Sequence, residues 1–579
     1  MKYCMPNTSR SLANPNKTMA LATGLFKAPL RSLFILLFCI NSAWALENPQ
    51  NAAIASAHPL ATEAGHKILR LGGNAFDAAV TVSAVLAVVE PYSSGLGGGG
   101  FWLLHRASDG YQTMIDGREK APLAAHRDLY LDETGEIVTS KSIDGALAAA
   151  IPGAPAALAH LAEHYGKLPL EVLLQPAIDI ARKGFEVDDF YRQMVKWRLP
   201  VLQAYPASSA QFLSQGEIPP AGYLIKQPEL ADTLQRLADE GRDGFYQGAM
   251  ARQLVEGVKA AGGIWSLEDL SQYQVIERKP ITGSYRGLKI TSAAPPSSGG
   301  VAILTILNIL DQMDYAALPE PQKNHLLIEA MRRAYRDRAE YLGDTDFVEV
   351  PVATLTHPLY ATGLSRGIDM QRATPSVLGE KAAQGEGQDT THFSILDRQG
   401  NRVSATLSIN YPFGSGVVVP GTGVLLNDEM DDFSASPGVP NVYGLVGGEA
   451  NAIEGGKRML SSMSPSFVED DQRVAILGTP GGSRIITMVL LGILEMAEGK
   501  GPDSWVKRPR FHHQYLPDQV QFESDAFTEE QLKRLTSMGH SFKSLQRKYG
   551  NMQGVMWNKQ TGEVEAASDP RGVGMARIE

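Results

Sequence analysis

Cysteine is nearly absent. The 579 residues contain two, Cys4 and Cys39, and both lie in the first 45 positions. A chain that loses this leader has no thiol, which excludes disulfides, thiolate catalysis, cysteine metal sites and iron–sulfur chemistry. Residues 1–45 also lack any acidic side chain; they carry Lys27 and Arg31, then the apolar run Leu33–Ile40 and the small-residue sequence Ala43-Trp44-Ala45. That is the pattern of a signal peptide cut before Leu46, with Met19 as an alternative start because the charged region is long. The apolar run is far shorter than the roughly 20 residues a membrane span needs. The expected destination is outside the inner membrane, the periplasm first and secretion second. Basic charge is in deficit too: the net charge is −10, and −15 once the five basic leader residues are removed, which argues against nucleic acid as a partner.

Several motifs are missing as well. No period of 20 to 50 residues recurs, so a solenoid or propeller is excluded. There is no Gly-x-Ser-x-Gly elbow and no His-Glu-x-x-His zinc motif. The run Gly95-Leu96-Gly97-Gly98-Gly99-Gly100 formally matches a dinucleotide fingerprint, but Phe101-Trp102-Leu103-Leu104 after it reads as a strand, where the fingerprint must open a helix. The expectation is tight backbone turning beside a site. Gly478-Thr479-Pro480-Gly481-Gly482-Ser483 sits between a short buried strand and an apolar helix, with no Gly-Lys-Ser/Thr to make a phosphate loop. Bare glycine amides at a helix start favour an anion, and an oxyanion is the alternative to phosphate. His512-His513 reads as a packed or surface pair, since adjacent side chains diverge. Neither a metal nor an organic cofactor is expected.

The region from Pro59 to Leu104 reads as two helices joined at Gly72-Gly73-Asn74, then the glycine run and a strand. Ser266-Leu267-Glu268-Asp269 is a capped helix start. His325–Leu342 is a helix whose alternating Arg and Glu/Asp are expected on its outer face, as scaffold.

The most informative stretch is Asp389-Thr390-Thr391-His392-Phe393-Ser394. From Pro375 to Asp389 the chain is polar and broken by glycine, an exposed linker that is open to cleavage. From Thr391 the pattern alternates, Phe393 and Ile395 against His392, Ser394 and Leu396. A turn at 397–401 follows, then Val403, Ala405, Leu407 and Ile409 opposite Ser404, Thr406, Ser408 and Asn410: a hairpin of period two. A cut between Asp389 and Thr390 places a hydroxyl and a free α-amine on one residue. The amine titrates at about 7.7 to 8.0, close enough to neutrality to serve as that hydroxyl's base. Period two puts Ser408 and Asn410 on one face, within reach of Thr390. An ordinary threonine-rich strand after a loop fits the same segment.

Taken in order, further motifs make the chain resemble the γ-glutamyltranspeptidase (glutathione hydrolase) family over nearly its whole length after the leader. They are Asn74 with Asp77-Ala78-Ala79, Gly95–Gly100, Asp116-Gly117-Arg118-Glu119, Pro295–Gly300, and Ala334-Tyr335-Arg336-Asp337-Arg338. In the second half come Asp389–His392, Leu426–Phe433, Ser461-Ser462-Met463-Ser464-Pro465 and Pro480–Arg484. The resemblance implies an α+β four-layer αββα sandwich of the N-terminal nucleophile hydrolase type, cleaved into a large subunit (46–389) and a small one (390–579) that form a heterodimer. It implies Thr390 as nucleophile, Ser408 as its assisting hydroxyl where the family has threonine, and Gly481 and Gly482 as oxyanion amides. The donor's α-carboxylate falls to Arg118, Ser461 and Ser462, and its α-ammonium to Asn410, Glu429 and Asp432. A guanidinium fork suits a carboxylate, and two carboxylates suit an ammonium. Pro437–Gly444, with Tyr443, resembles a lid over the donor pocket and favours small donors such as glutathione, with water, amino acids or peptides as acceptors. The rivals are an amide acylase of the same fold, of the glutaryl-cephalosporin type, and a catalytically silent secreted binding protein.

Overall fold

The computed structural model describes residues 48–377, 390–435 and 439–579; the leader, Asp389 with most of its linker, and Pro437 and Gly438 of the lid lie outside the described residues. The hairpin expected after Thr390 is there. Thr391–Leu396 pairs antiparallel with Arg402–Ser408, Thr391 opposite Leu407, and the Asp397 carboxylate accepts the Gln399 and Asn401 amides to close the turn. Its period of two is read out by two different neighbours. Phe393, Ile395, Val403, Ala405 and Leu407 pack into an apolar core against helices. The other face meets a second sheet at close range: Ser394 Oγ donates to the Gln553 carbonyl and Ser404 Oγ to that of Leu477, each at 3.1 Å. The His392 ring lies where a side chain on Gly478 would be, 2.2 Å from an ideal Cβ, and burial pushes its imidazole down to about 3, so it is neutral.

Around this hairpin a seven-stranded antiparallel sheet runs in the order Met575–Ile578, Ala53–Ser56, Thr391–Leu396, Arg402–Ser408, Gly99–Arg106, Tyr111–Gly117 and Ile276–Arg278. The second sheet has six strands, from Val564–Ser568 through Gln553–Asn558, Arg473–Gly478, Ser466–Glu469 and Leu288–Ser292 to Ile281–Tyr285. Helix Ala75–Val89, apolar and buried on every side, covers the first sheet; Gly299–Gln312 and Ile485–Ala497 cover the second. This is the four-layer αββα sandwich. Both sheets contain strands from before and after the linker, so the segments on either side of it cannot fold as separate domains, and the described residues fall in one unit.

One expectation is extended and one corrected. The run Gly95–Gly100 does turn, the Gly98 amide donating to the Gly95 carbonyl at 3.1 Å, but none of its residues has a positive φ, so the turn is not what requires glycine. Close approach requires it: an ideal Cβ would lie 1.9 Å from the Leu425 carbonyl oxygen at Gly97, 2.2 Å from that of Ser408 at Gly98 and 2.6 Å from that of Thr406 at Gly100. The helix is Glu320–Tyr341, and most of its charges face inward. Arg332, Arg333, Asp337 and Arg338 are buried, because the helix packs between helix Gly299–Gln312 and C-terminal segments that include helix Glu529–Ser537. Asn74 caps Ala75–Val89 in a capping box with Asp77 and, as expected, Ser266 caps Leu267–Gln272.

Gly98→Ala forces a methyl against the Ser408 carbonyl. It is expected to cost about 1 to 3 kcal/mol or more of stability, as overpacking does, seen as a lower thermal midpoint. An unchanged midpoint would show that the two backbones are not locked at this distance.

Candidate active site

Thr390 precedes the first residue of the central strand and is 5% exposed. Its Oγ1 is 3.4 Å from Ser408 Oγ, at the end of the partner strand. Ser408 Oγ also accepts the Asn410 amide at 2.8 Å. Asn410 does not extend the strand, contrary to the period-two expectation. The strand ends at Ser408 and Asn410 takes a left-handed φ of 73°, a conformation asparagine tolerates. It is held there by its Nδ2, which donates to the Asp428 carbonyl, and by its own carbonyl, which accepts the Tyr443 hydroxyl at 2.7 Å. Asn410 still reaches the site, by a backbone turn rather than by strand alternation.

Arg118 immediately follows strand Tyr111–Gly117 and is 1% exposed. Its Nη1 donates to Glu429 Oε2 and its Nη2 to Asp432 Oδ2, both at 2.5 Å. The two acids sit on one short helical turn, Glu429–Asp432, which Asn427 fixes by accepting the Glu429 amide and donating to the Gly97 and Ala150 carbonyls. Burial works against the Arg118 charge, but Glu429, Asp432 and Glu119 outweigh it and hold the guanidinium ionised. Burial pushes the Glu429 carboxyl up to about 7 against the pull of Arg118, and pushes Glu119 up as well, with the Glu429 charge adding to it. The remaining oxygen of each, Oε1, has no hydrogen-bond partner among the described residues. Such unsatisfied buried acceptors call for a donor from outside.

Ser461 and Ser462 close another wall. Ser461 is bridged to Ser297, and its amide donates to the Pro296 carbonyl. Ser462 Oγ accepts from Arg338 Nη2 at 3.2 Å, and Arg338 Nε donates to Ser298 Oγ. Gly481 and Gly482 have φ of 142° and 57°, which glycine alone adopts readily, and lead through one short turn into helix Ile485–Ala497. A Cβ on Gly482 would strike the Tyr443 ring at 2.6 Å. Gln514 braces this turn, accepting Ser483 Oγ and donating to the Tyr443 carbonyl. One small cavity of about 20 Å³ collects Thr390, Ser408, Asn410, Glu429, Asp432, Arg118, Tyr443, Ser461, Ser462 and Gly482. Gly481 is not part of its lining but immediately precedes Gly482.

Sequence reasoning missed Glu119, Arg338 and Gln514 as site residues. Glu119 and Arg338 fall inside motifs quoted for the resemblance, so a signal existed; Gln514 had none. His512 and His513 are buried and hydrogen-bonded, His512 to Thr487 and Gln514, as a packed pair should be. Among the described residues no group of three or more His, Cys, Asp or Glu is placed to hold a metal ion.

Comparison with known proteins bears on the family and the fold. The family model described as gamma-glutamyltranspeptidase matches residues 61–578. The chain is 43% identical over 527 residues to the glutathione hydrolase proenzyme of Escherichia coli (strain K12), covering 90% of each. Among solved structures, cephalosporin acylase from Bacillus halodurans superposes with a TM-score of 0.80 at 27% identity, over 92% of this chain and 96% of that one. Helicobacter pylori gamma-glutamyltranspeptidase gives 0.54 at 41% identity, over 55% of this chain and 92% of that one. By the extent of the family match and the identity to full-length relatives, the chain belongs to the γ-glutamyltranspeptidase family.

Proposed function

We propose that this enzyme is a self-processing γ-glutamyl transferase and hydrolase acting on glutathione and related small γ-glutamyl compounds. The observation that carries the reading is the placement of Thr390 beside Ser408 in a cavity walled by a buried arginine and two buried carboxylates. A γ-glutamyl group brings both an α-carboxylate and an α-ammonium. In the empty site Arg118 is neutralised by Glu429 and Asp432. A bound donor inserts its own zwitterion into this cluster, the carboxylate on Arg118 with Ser461 and Ser462, the ammonium on Asn410, Glu429 and Asp432.

Thr390 Oγ attacks the γ-carbonyl, forming a C–O bond while its proton passes to the Thr390 α-amine. The oxyanion is held by the Gly481 and Gly482 amides, and collapse expels the amine with that proton. Water or an amino-acid or peptide amine then takes the γ-glutamyl group from the ester. The α-amine arises from a cut between Asp389 and Thr390, dividing the chain into fragments 46–389 and 390–579 that remain paired through both sheets. The leader reading, 1–45, supports export, with the periplasm as the expected location. An acylase acting on an acyl group without an α-ammonium has no need of the paired acids Glu429 and Asp432, which is why the γ-glutamyl reading is preferred.

Three outcomes test this. Thr390→Ala stays one chain on a denaturing gel; two fragments, the smaller beginning at residue 390, would remove Thr390 from processing. Arg118→Lys keeps the charge and loses the fork, so kcat/KM for a γ-glutamyl anilide falls tens to thousands of fold, the equivalent of about 2 to 5 kcal/mol for a broken desolvated pair. Parent-like kinetics would make Arg118 purely structural. Ser408→Ala matures slowly and, once cleaved, turns over about 10² to 10⁴ times more slowly, the range for a positioned proton-handling group, whereas Ser408→Thr keeps the hydroxyl and stays near parent. Time courses of fragment appearance and initial rates on matured protein decide it, and an Ala variant equal to parent excludes the hydroxyl from the mechanism.

A further inference from the structure

Thr390 borders two cavities. The second, of about 170 Å³, shares only Thr390 with the first and is also lined by Pro480, which precedes the two oxyanion glycines, by Glu90, and by Arg547 and Lys548. The first cavity is built for the acyl group, so the amine that leaves and the amine that replaces it must lie on the other side of Thr390. Glu90 is 3% exposed at the C-terminal end of helix Ala75–Val89. Its Oε2 accepts the Thr391 hydroxyl at 2.7 Å, directly beside the nucleophile, while Oε1 meets only the Tyr92 hydroxyl at a marginal 3.5 Å.

We propose that this second cavity is the amine-side site of the reaction proposed above, Glu90 receiving the amino group of an incoming amino acid or dipeptide and Arg547 with Lys548 receiving its carboxylate. In transfer the amine nitrogen forms the new C–N bond as the C–Oγ bond of the Thr390 ester breaks. One proton of the entering ammonium passes to the Glu90 carboxylate and on to water; the second, shed on attack, returns to Thr390 Oγ through the α-amine. Burial holds the Glu90 carboxyl up at about 7, so it can be ionised when an ammonium arrives and can take up a proton near neutrality. Arg571, also on this wall, is already committed to Glu523 and Asp569, each oxygen within 3.1 Å. Lys548 pairs with Asp525 in an exposed bridge, the weak kind that a ligand carboxylate readily competes with.

The test uses matured enzyme with a γ-glutamyl anilide as donor and glycylglycine or glycylglycinamide as acceptor, reading the ratio of transfer product to free glutamate. Glu90→Gln retains an oxygen for the Thr391 hydroxyl but not the charge, and the expected result is a ratio at least tenfold lower through a raised acceptor KM. The paired variant Arg547→Ala/Lys548→Ala is expected to lower the ratio severalfold for glycylglycine and to leave it unchanged for the amide. Parallel loss of hydrolysis and transfer in Glu90→Gln, or an unchanged ratio, overturns the assignment of Glu90. Equal effects of the rim variant on both acceptors overturn the carboxylate site, and that variant alone decides the matter should Glu90→Gln fail to mature. A parent enzyme that releases no glutamate from the anilide would refute the γ-glutamyl reading itself, independently of the amine site.

Discussion

A guanidinium removed from water must be neutralised where it sits, and Arg118 is removed almost completely. Its counter-charges come from a short turn more than 300 residues later in the chain, Glu429 and Asp432, each accepting through one oxygen from one terminal nitrogen. Much of the site's geometry follows from that requirement. The turn is pinned by Asn427 to the Gly97 carbonyl, so the acids, the glycine run and Arg118 are positioned as one block. Burial first, and the crowding of three carboxylates round one arginine after it, keep Glu429 and Glu119 reluctant to ionise. Under the proposed reading a ligand ammonium would relieve that crowding and a ligand carboxylate would compete for the fork, so a zwitterion would use the same interaction that ties these segments together.

The glycine run has a matching role on the backbone side. Strand Gly99–Arg106 lies against the end of Arg402–Ser408 so closely that Cβ atoms have no room, and this proximity sets where Ser408 ends its strand and where Asn410 turns back. Because both sheets join strands from the two sides of the linker and the strand after it begins at Thr391, a cut before Thr390 leaves the described ladders between the two segments intact. The inner faces of the two sheets meet at the hairpin through small polar side chains and a neutral His392, which lets the layers approach closely beneath Thr390.

Local chemistry in this protein was legible wherever a short segment carried its own reason. The hairpin after the linker as far as Ser408, the Ser266 cap, the turn Gly478–Ser483 and the packed histidines all rest on neighbouring residues or on a period of two, and these stand as read. Readings that required knowing what lies on the far side of an element did less well. The charges of helix Glu320–Tyr341 look like a solvated face until the C-terminal segments cover them. The glycine run reads as a turn, which it makes, but its need for glycine shows only when another backbone is seen against it. Gln514 and Glu90 carry no motif at all, and their importance comes only from what they touch, Ser483 and Tyr443 in one case, Thr391 in the other.

The sequence by itself determined the chemistry available to this protein: no thiol after residue 45, a threonine placed after a polar, glycine-broken linker, a glycine turn able to present amides, and an arginine and two acids of the right kinds. These follow from composition and local pattern, which any chain segment carries wherever it ends up. Only the tertiary structure decided which of these groups meet. Burial in a four-layer sandwich turned scattered charges into one cluster with shifted proton affinities, and packing on both sides of Thr390 gave it two cavities rather than one. Desolvation and long-range contact depend on everything folded around a residue, and no local pattern encodes them.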